Sequence, residues 1–540
     1  MRPGVMKRVA DWRRPVYEKL LVKAGREGYP ASMAARAVSR SALSALVVVP
    51  AGIAGSLLIW VPIALCCLAP IVIFFVPEAL LRDAAAQRRE RVEAELPFFS
   101  ILANVLGTAG VPLYSVFETL AKSDIFEAMR KEALVIRREV EVFGNNPTFA
   151  FEVVAAYHPS RKFGYYLLGY SSKVRSGGDA PAYLSGESGS LLRELEERWV
   201  RYSARVGVVG SLMVTIFGVI PLMLLVVGFF SPASSISVLT VFAFVGVPFL
   251  ATALVFMTGR MQPVGDVPLE GRPMEATVLF FSAAAGGWYL HLGWLALAVA
   301  LSVSFGFYGL SVRKQLARMK QVDSSLPMLL KDLMDYKRQE YDLGRSLAVI
   351  SSEGSYGRAL DSVVRSVAAQ LRAGVPLSEA VVDPGTRLSR VVFSVLAKMG
   401  YSGGGTVDTL FQLTQYATKV TEMKRSAEAE MKPYLLLSYL TPLLLVFGVT
   451  FVGGILSSFQ SPLLGLPGHT GQSSAGLGGL VEIADGLIVT SAAALGIVGA
   501  KIADLTVKNT NRAMVNVILA ASAAALAPSI NLTALLHGGL

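Results

Sequence analysis

Long stretches without charge constrain this chain more than any other feature. Between Ala42 and Leu81 the only charged side chain is Glu78. As helix, these 40 residues would span about 60 Å, roughly twice the hydrocarbon thickness of a bilayer. Charged residues concentrate before residue 41, between 82 and 205, and between 313 and 432. With 53% hydrophobic and only 16% charged residues, the sequence indicates a polytopic membrane protein with water-exposed segments.

The apolar stretches predict about nine transmembrane helices in the cell membrane. Two fit 42–81, four fit 206–312 and three fit 433–540, which includes a Gly- and Ser-rich external loop at 456–479. Basic residues beside span ends favour the cytoplasmic side, so the N-terminal segment 1–41 is predicted inside and the C-terminus outside. In 276–312 we predict two short spans; one tilted helix there would reverse the side of everything that follows.

Two charged segments are predicted to be cytoplasmic helix bundles, and we call them the first segment (82–205) and the second segment (313–432). Leu-Pro pairs near the start of each, Leu96-Pro97 and Leu326-Pro327, lie 230 residues apart. Leu326, Leu329, Leu330, Leu333 and Met334 follow at the spacing of one buried helical face. Glycine clusters near each end, Gly177 with Gly178 and Gly403 with Gly404, are predicted to allow tight turns. The pattern is typical of an approximate internal duplication.

The net charge of +11 raises the possibility of nucleic-acid binding. The first 40 residues, however, hold 10 Lys and Arg against 3 Asp and Glu, whereas residues 82–205 hold 17 against 16. Much of the excess therefore lies beside predicted spans, where basic residues set orientation and contact anionic lipid. We predict membrane lipids as partners and no nucleic acid.

The residues for catalysis or metal binding are not grouped in the sequence. Gly400-Tyr401-Ser402-Gly403-Gly404 matches the Gly-x-Ser-x-Gly pattern, but that turn needs a preceding strand and a reachable histidine, and its flanks here are helical. No phosphate-binding Gly-x-x-x-x-Gly-Lys-Ser/Thr motif occurs. Cys66 and Cys67 are adjacent in an apolar run, and four histidines are scattered. We predict no catalytic residue, no metal, no cofactor and no enzymatic activity.

The second segment resembles the F domain of type II secretion, a family of inner-membrane platforms shared with type IV pili, through Leu326-Pro327 and Ser402-Gly403-Gly404. The first segment is similar to the archaeal branch, which includes the archaellum platform. That similarity rests on Glu95-Leu96-Pro97-Phe98, Phe143-Gly144-Asn145-Asn146-Pro147, His158-Pro159-Ser160, Leu167-Leu168-Gly169-Tyr170 and Arg175-Ser176-Gly177-Gly178-Asp179. The resemblance covers residues 90–230 and 320–455. Four spans between the two F domains, instead of the single one of bacterial members, also resemble the archaeal plan.

The resemblance implies a homodimeric platform that docks a hexameric assembly ATPase and couples its motion to prepilin subunits. Exposed basic residues are candidate ATPase or lipid contacts, with an ordinary solvated helix face as the alternative: Arg88, Arg89, Arg91, Arg137, Arg138, Lys337 and Arg338. A different class also remains open, namely a polytopic permease or channel with regulatory cytosolic domains. Its marks would be intramembrane charges or broken helices at matching places in two halves.

Overall fold

The protein is helical throughout the part that the structure describes. The structure, a computed structural model, describes residues 3–25, 29–58, 69–122, 126–230, 232–262, 269–377, 379–380, 385–402, 407–460 and 472–527. No strand occurs among these residues. The predicted all-α class is therefore confirmed.

Nineteen α-helices follow one another along the described residues. The first nine are α1 (Pro3–Ala24), α2 (Pro30–Leu58), α3 (Ala69–Thr108), α4 (Leu113–Ala121), α5 (Glu127–Glu141), α6 (Pro147–Tyr157), α7 (Arg161–Arg175), α8 (Ala180–Val214) and α9 (Ile220–Phe230). The later ones are α10 (Pro232–Val241), α11 (Val247–Met261), α12 (Pro273–Tyr289), α13 (Trp294–Arg338), α14 (Leu343–Glu353), α15 (Arg358–Arg372), α16 (Arg387–Ser402), α17 (Val407–Gln460), α18 (Gln472–Asp504) and α19 (Asn511–Leu526). π-helical turns at Thr215–Val219 and Phe242–Gly246 join α8 to α9 and α10 to α11.

Five helical segments within the described residues are long and apolar enough to cross a bilayer. They are Ala180–Gly228, Ser235–Met261, Trp294–Arg338, Val407–Phe451 and Glu482–Asp504. A shorter apolar helix within the described residues is α19. The chain is therefore a multi-pass membrane protein. The count of nine spans stays a prediction, since parts of the predicted spans, residues 59–68 and 528–536, lie outside the described residues.

Contacts divide the chain into two compact units. Unit 1 comprises Met1–Arg193, Leu377–Glu379 and Val391–Leu413, and unit 2 comprises Glu194–Pro376, Ala380–Arg390 and Thr414–Leu540. The predicted segment boundaries follow sequence patterns instead and stay predictions.

In unit 1 the N-terminal segment packs against the base of the first bundle. Helices α1, α2 and α3 share a small core of Tyr17, Leu21, Ala24, Ala34, Ala37, Leu81 and Ala85. Arg13 of α1 pairs with the buried carboxylate of Glu78 on α3, and its guanidinium lies over the rings of Phe74 and Phe75. The basic N-terminal segment thus has tertiary contacts with the helix that opens the first segment.

The bundle of unit 1, α3 to α7, has an aromatic core. The ring of Phe117 lies 4.8 Å from that of Phe99 and 5.7 Å from that of Phe151, and Phe163 is 6.3 Å away. All four side chains are buried. Aromatic side chains bury large areas and add edge-to-face attraction, so this cluster holds α3, α4, α6 and α7 together.

In unit 2, the charged half of α13 packs with α14 and α15 around an aliphatic core. Leu326, Leu329, Leu330 and Leu333 are 0% exposed and Met334 is 7% exposed. The predicted apolar face of this helix is therefore confirmed. Leu347 of α14 and Leu360 of α15 are also fully buried.

Two long helices of unit 2, α8–α9 and α17, run side by side in the same direction. An ion pair joins Glu196 to Lys419 at 2.8 Å, ahead of both apolar stretches. Further along, Gly210 faces Tyr434 so closely that an added Cβ would lie 2.4 Å from the ring. The contacts of Gly218 with Thr441 and of Leu222 with Gly448 follow in order. Small residues let the two helix backbones approach, as is common in membrane helix pairs.

Candidate functional site

A network of charged side chains joins three helices of unit 2, and we call it the charged junction. Its members are Lys320 and Asp323 of α13, Lys424 and Glu428 of α17, and Asp504 with Arg512 at the turn between α18 and α19. It lies where the water-exposed parts of α13 and α17 meet the end of an apolar helix.

The sequence explains why these charges meet. Helix α13 is apolar until Val312 and becomes charged at Arg313, while α17 is charged until Lys432 and apolar from Tyr434 onward. Helix α18 ends its apolar run at Asp504. All three helices therefore change from apolar to charged sequence at one level, where charged groups can still reach water.

Asp504 is the best-buried acid of the junction, with a side chain only 3% exposed. Arg512 donates two hydrogen bonds to its carboxylate, from Nε at 2.5 Å and from Nη2 at 3.0 Å. The side-chain amide of Asn509 donates a third at 2.7 Å. This bidentate geometry is the strong form of an Arg–carboxylate pair. These bonds connect the end of α18 to the start of α19 across the turn between them.

Lys320 lies between acids of two different helices. Its Nζ is 3.0 Å from Glu428 Oε1 on α17 and 3.8 Å from Asp504 Oδ1 on α18. One turn along α13, Asp323 pairs with Lys424 of α17 at 2.9 Å and accepts a hydrogen bond from Thr386. Helices α13 and α17 are therefore joined by ion pairs at two successive levels.

A cavity of about 590 Å³ opens beside the junction. Its charged lining includes Lys320, Lys424, Arg425 and Lys508, and its apolar lining includes Trp199, Leu269, Leu316, Met319 and Met431. The volume is within the range of small-molecule sites. No group of three or more His, Cys, Asp or Glu side chains suited to a metal ion occurs in the described part of the chain.

The predicted contact residue Arg88 is largely engaged inside unit 1. Its guanidinium donates to both oxygens of Glu132, from Nε at 2.8 Å and from Nη2 at 2.6 Å, and Nη1 donates to the carbonyl oxygens of Val22 and Lys23 at the end of α1. The Glu132 side chain is 2% exposed. The geometry therefore gives Arg88 an internal bonding role.

Glu132 also faces a buried histidine. The backbone N–H of Ser160 donates to His158 Nδ1 at 3.0 Å, which leaves the ring proton on Nε2, 3.4 Å from Glu132 Oε1. Burial raises the pKa of the Glu132 carboxyl, but bonding to His158 and Arg88 lowers it more, and the net pKa falls to about 2. Sequence reasoning missed Glu132, although its place among Ala128, Met129, Ala133 and Ile136 on the buried face of α5 was a readable signal.

The other predicted contact residues lie on helix surfaces. Arg89 is 3.8 Å from Glu93, and Arg137 is 3.1 Å from Glu141, both on their own helices. Arg91 and Arg138 are exposed in unit 1. In unit 2, Lys337 is half-buried and Arg338 exposed in the last turn of α13, where Arg338 lies 3.4 Å from Asp335. Their role as ATPase or lipid contacts stays a prediction.

One of the two predicted glycine turns is visible. Gly177 has φ +68°, and the N–H groups of Gly177 and Gly178 bond to the carbonyls of Val174 and Lys173 at the end of α7. This is a Schellman turn, whose left-handed position favours glycine. Gly403 and Gly404 lie outside the described residues.

Several residues of the motifs quoted above stabilise helix starts. Glu95 accepts hydrogen bonds from the backbone N–H groups of Ala128 and Met129 at 3.0 and 2.8 Å, at the start of α5. Asn146 caps α6 and Ser160 caps α7. Unpaired N–H groups at helix starts need such acceptors, especially when buried.

Comparison with known proteins gives one family and one relative of note. The family model of type II secretion system protein F matches two segments, residues 98–228 and 329–454. The chain is 23% identical over 423 residues to an uncharacterized protein of Methanocaldococcus jannaschii. The alignment covers 68% of this chain and 69% of that protein. No solved structure matches the chain.

Proposed function

Because the chain belongs to the type II secretion F-domain family, we propose that it is the membrane platform of a type IV filament or of a type II secretion-like machine. In this role it docks a cytoplasmic assembly ATPase and passes the motion of that ATPase to pilin-like subunits in the membrane. The chain itself performs no hydrolysis.

One observation carries this proposal: water-exposed helices of the matched segments continue into apolar helices without a break. Helix α13 runs for 45 residues from Trp294 to Arg338, and α17 runs for 54 residues from Val407 to Gln460. A continuous helix transmits displacement along its axis because each turn is hydrogen-bonded to the next. Movement imposed outside the bilayer therefore reaches the bilayer directly.

Lateral contacts in unit 2 support the same role. The charged junction ties α13 to α17 through Lys320 and Asp323, and glycine contacts tie α17 to α8–α9. Force on one of these helices is thus shared with its neighbours at the bilayer edge and within the apolar stretch. Packed elements of this kind move as bodies.

The proposal includes a topology and a set of partners. We place both F segments and the N-terminus in the cytoplasm and the C-terminus outside, with nine spans, on the basis of the basic residues beside the apolar stretches. The partners are a hexameric ATPase, prepilin subunits, membrane lipids and a second copy of the chain. An archaeal pilus or archaellum is the setting that we favour.

The test uses the full-length protein in lipid nanodiscs together with the pilus-type assembly ATPase of the same organism. We expect saturable binding and a changed rate of ATP hydrolysis. Charge reversal by Lys337→Glu with Arg338→Glu should weaken binding if the end of α13 is a contact. Arg358→Glu with Arg365→Glu, on exposed positions of α15, is the matched control. Absence of binding by the folded wild-type protein would overturn the proposal.

One observation favours the alternative of a permease or channel. Two apolar helices each contain a π-helical turn followed at the second residue by a proline, Pro221 after Thr215–Val219 and Pro248 after Phe242–Gly246. Such bulges are frequent at functional sites. Flux of ions or small solutes through the purified protein in sealed vesicles, without any ATPase, would support this alternative.

A further inference from the structure

The geometry points to a binding site for the phosphate headgroup of an anionic membrane lipid in the cavity beside the charged junction. The cavity lining combines two kinds of side chain. It contains the cationic side chains of Lys320, Lys424, Arg425 and Lys508 and apolar side chains that include Trp199, Leu316 and Met431. An amphiphile with a negatively charged head fits such a combination.

The charge balance favours an anion. The cavity lining contains four cations and three acids, Asp323, Glu428 and Asp504. The charge of Asp504 is already balanced by Arg512, which is not itself a lining residue. Asp323 is bonded to Lys424 and Thr386. With Arg512 included, the cations outnumber the acids by two. The phosphate of a lipid headgroup would offset this excess.

Two of the cations have bonding capacity left. Arg425 is exposed and forms no ion pair among the described residues. Lys508 donates one bond to the carbonyl oxygen of Leu269, which leaves two of its three ammonium protons available. These two side chains come from α17 and from the turn after α18, so a phosphate held by both would join two helices.

The position of the cavity favours a lipid over a soluble phosphate compound. Most of the lining residues belong to the stretches near which α13, α17 and α18 change from apolar to charged sequence. Lipid headgroups lie at this level of a bilayer, and the apolar side chains of the lining would accept the first part of an acyl or isoprenoid chain. The inference rests on the membrane location and does not depend on the platform role.

The test is a lipid titration of the full-length, delipidated protein in neutral detergent. Phosphatidylglycerol, phosphatidylcholine and inorganic phosphate are added separately, and bound lipid is counted by native mass spectrometry. We expect one tightly retained phosphatidylglycerol and at least tenfold weaker retention of phosphatidylcholine. Retention of one inorganic phosphate as tightly as phosphatidylglycerol would assign the site to a soluble anion and contradict the proposal, and equal retention of both lipids would overturn it.

Substitutions of two lining cations test whether phosphatidylglycerol binds in the cavity. Arg425→Gln with Lys508→Gln should weaken phosphatidylglycerol binding at least tenfold, because each cation near an anionic lipid surface contributes about a fivefold factor. Arg425→Lys with Lys508→Arg should retain it. Arg358→Gln with Arg365→Gln, which removes two exposed cations of α15, is the control, and an equal loss there would show a general charge effect and contradict the site.

A second measurement needs no variant. Phosphatidylglycerol with a photoreactive headgroup is cross-linked to the wild-type protein, and the modified peptides are identified. Cross-links within 421–431 and 503–508 are expected. Labelling confined to other peptides would contradict the proposal even if the glutamine variants failed to fold.

Discussion

The first and second segments repeat the same backbone turns around different cores. Gly110, after α3, has φ +83°, and Glu340, 230 positions later and after α13, has φ +66°. Gly144 after α5 and Gly374 after α15 repeat the correspondence at φ +70° and +88°. A duplication of one segment would produce such a constant spacing of 230 residues between matching turns. In this chain the positions of these two turns are therefore more alike in the two segments than the cores between them.

The cores differ in chemistry. Phe117 packs among three other rings, whereas Leu347, 230 positions later, is a fully buried aliphatic side chain in a core rich in leucine and valine. Cores tolerate exchanges of apolar side chains when the overall volume and pattern are kept. The apolar stripe therefore specifies each bundle more than the identity of the side chains that fill it.

Buried charge also separates the two segments. Arg88 and Glu132 form a bidentate pair inside unit 1, while the positions 230 residues later are the exposed Arg318 and Ser362. In the second segment, the phenol of Tyr356 donates to Asp332 instead. Burial and the bond to Asp332 raise the pKa of Tyr356. The first segment thus depends on a buried ion pair and the second does not use that position.

The largest expected difference between the segments comes from Arg88→Met. This change leaves the Glu132 carboxylate buried without its main partner, and breaking such a pair lowers the free energy of unfolding by about 3–5 kcal/mol. Arg318→Met, at the matched exposed position, should change it by less than about 0.5 kcal/mol. The measurement is amide hydrogen exchange of the full-length protein in detergent, where α5 peptides should exchange more than about 100-fold faster. Similar effects of both changes would contradict the comparison.

The helical class and the buried faces of single helices could be predicted from the sequence, because they depend on residues close together in the chain. The stripe Leu326, Leu329, Leu330 and Leu333 predicted a buried helix face because helical spacing alone places those side chains together. The all-helical class followed in the same way. Arg88 shows the limit: its partner Glu132 is 44 residues away, and only tertiary packing brings them together. The charged junction was missed for the same reason, since Lys320 and Asp504 meet across 184 residues.

A pH titration sharpens the contrast between the buried ion pair and the rest of the chain. Glu132 has a pKa of about 2 in the folded protein and an ordinary value near 4.5 when unfolded. Because the folded value is the lower one, its stabilising contribution is complete above about pH 4.5 and is lost as the pH falls toward 2.

The measurement is the difference in apparent melting temperature between wild type and Glu132→Gln. We expect a difference of several degrees at pH 6 that narrows progressively between pH 4.5 and pH 2.5. Ser362→Ala, at the matched position of the second segment, should differ from wild type by the same small amount at every pH. A wild-type-to-Glu132→Gln difference that stayed constant with pH would contradict an ionised, bonded Glu132.

The smallest expected effect tests the shared turn after α3 and α13. Glu340 occupies a left-handed conformation that costs a residue with a side chain about 1–2 kcal/mol, so Glu340→Gly relieves strain but loses about 0.5–1 kcal/mol to the freedom of the unfolded chain. The net result should be a gain of about 0.5 kcal/mol in the free energy of unfolding. Gly110→Ala should lower it by about 1 kcal/mol, because an added Cβ there meets no neighbour within 4 Å and only the backbone is strained.

The measurement is amide hydrogen exchange around the two turns. Slower exchange in Glu340→Gly together with faster exchange in Gly110→Ala would support one turn geometry at both positions. A loss of stability in both variants would show that Glu340 does not occupy the glycine-type conformation, and the correspondence with Gly110 would fail.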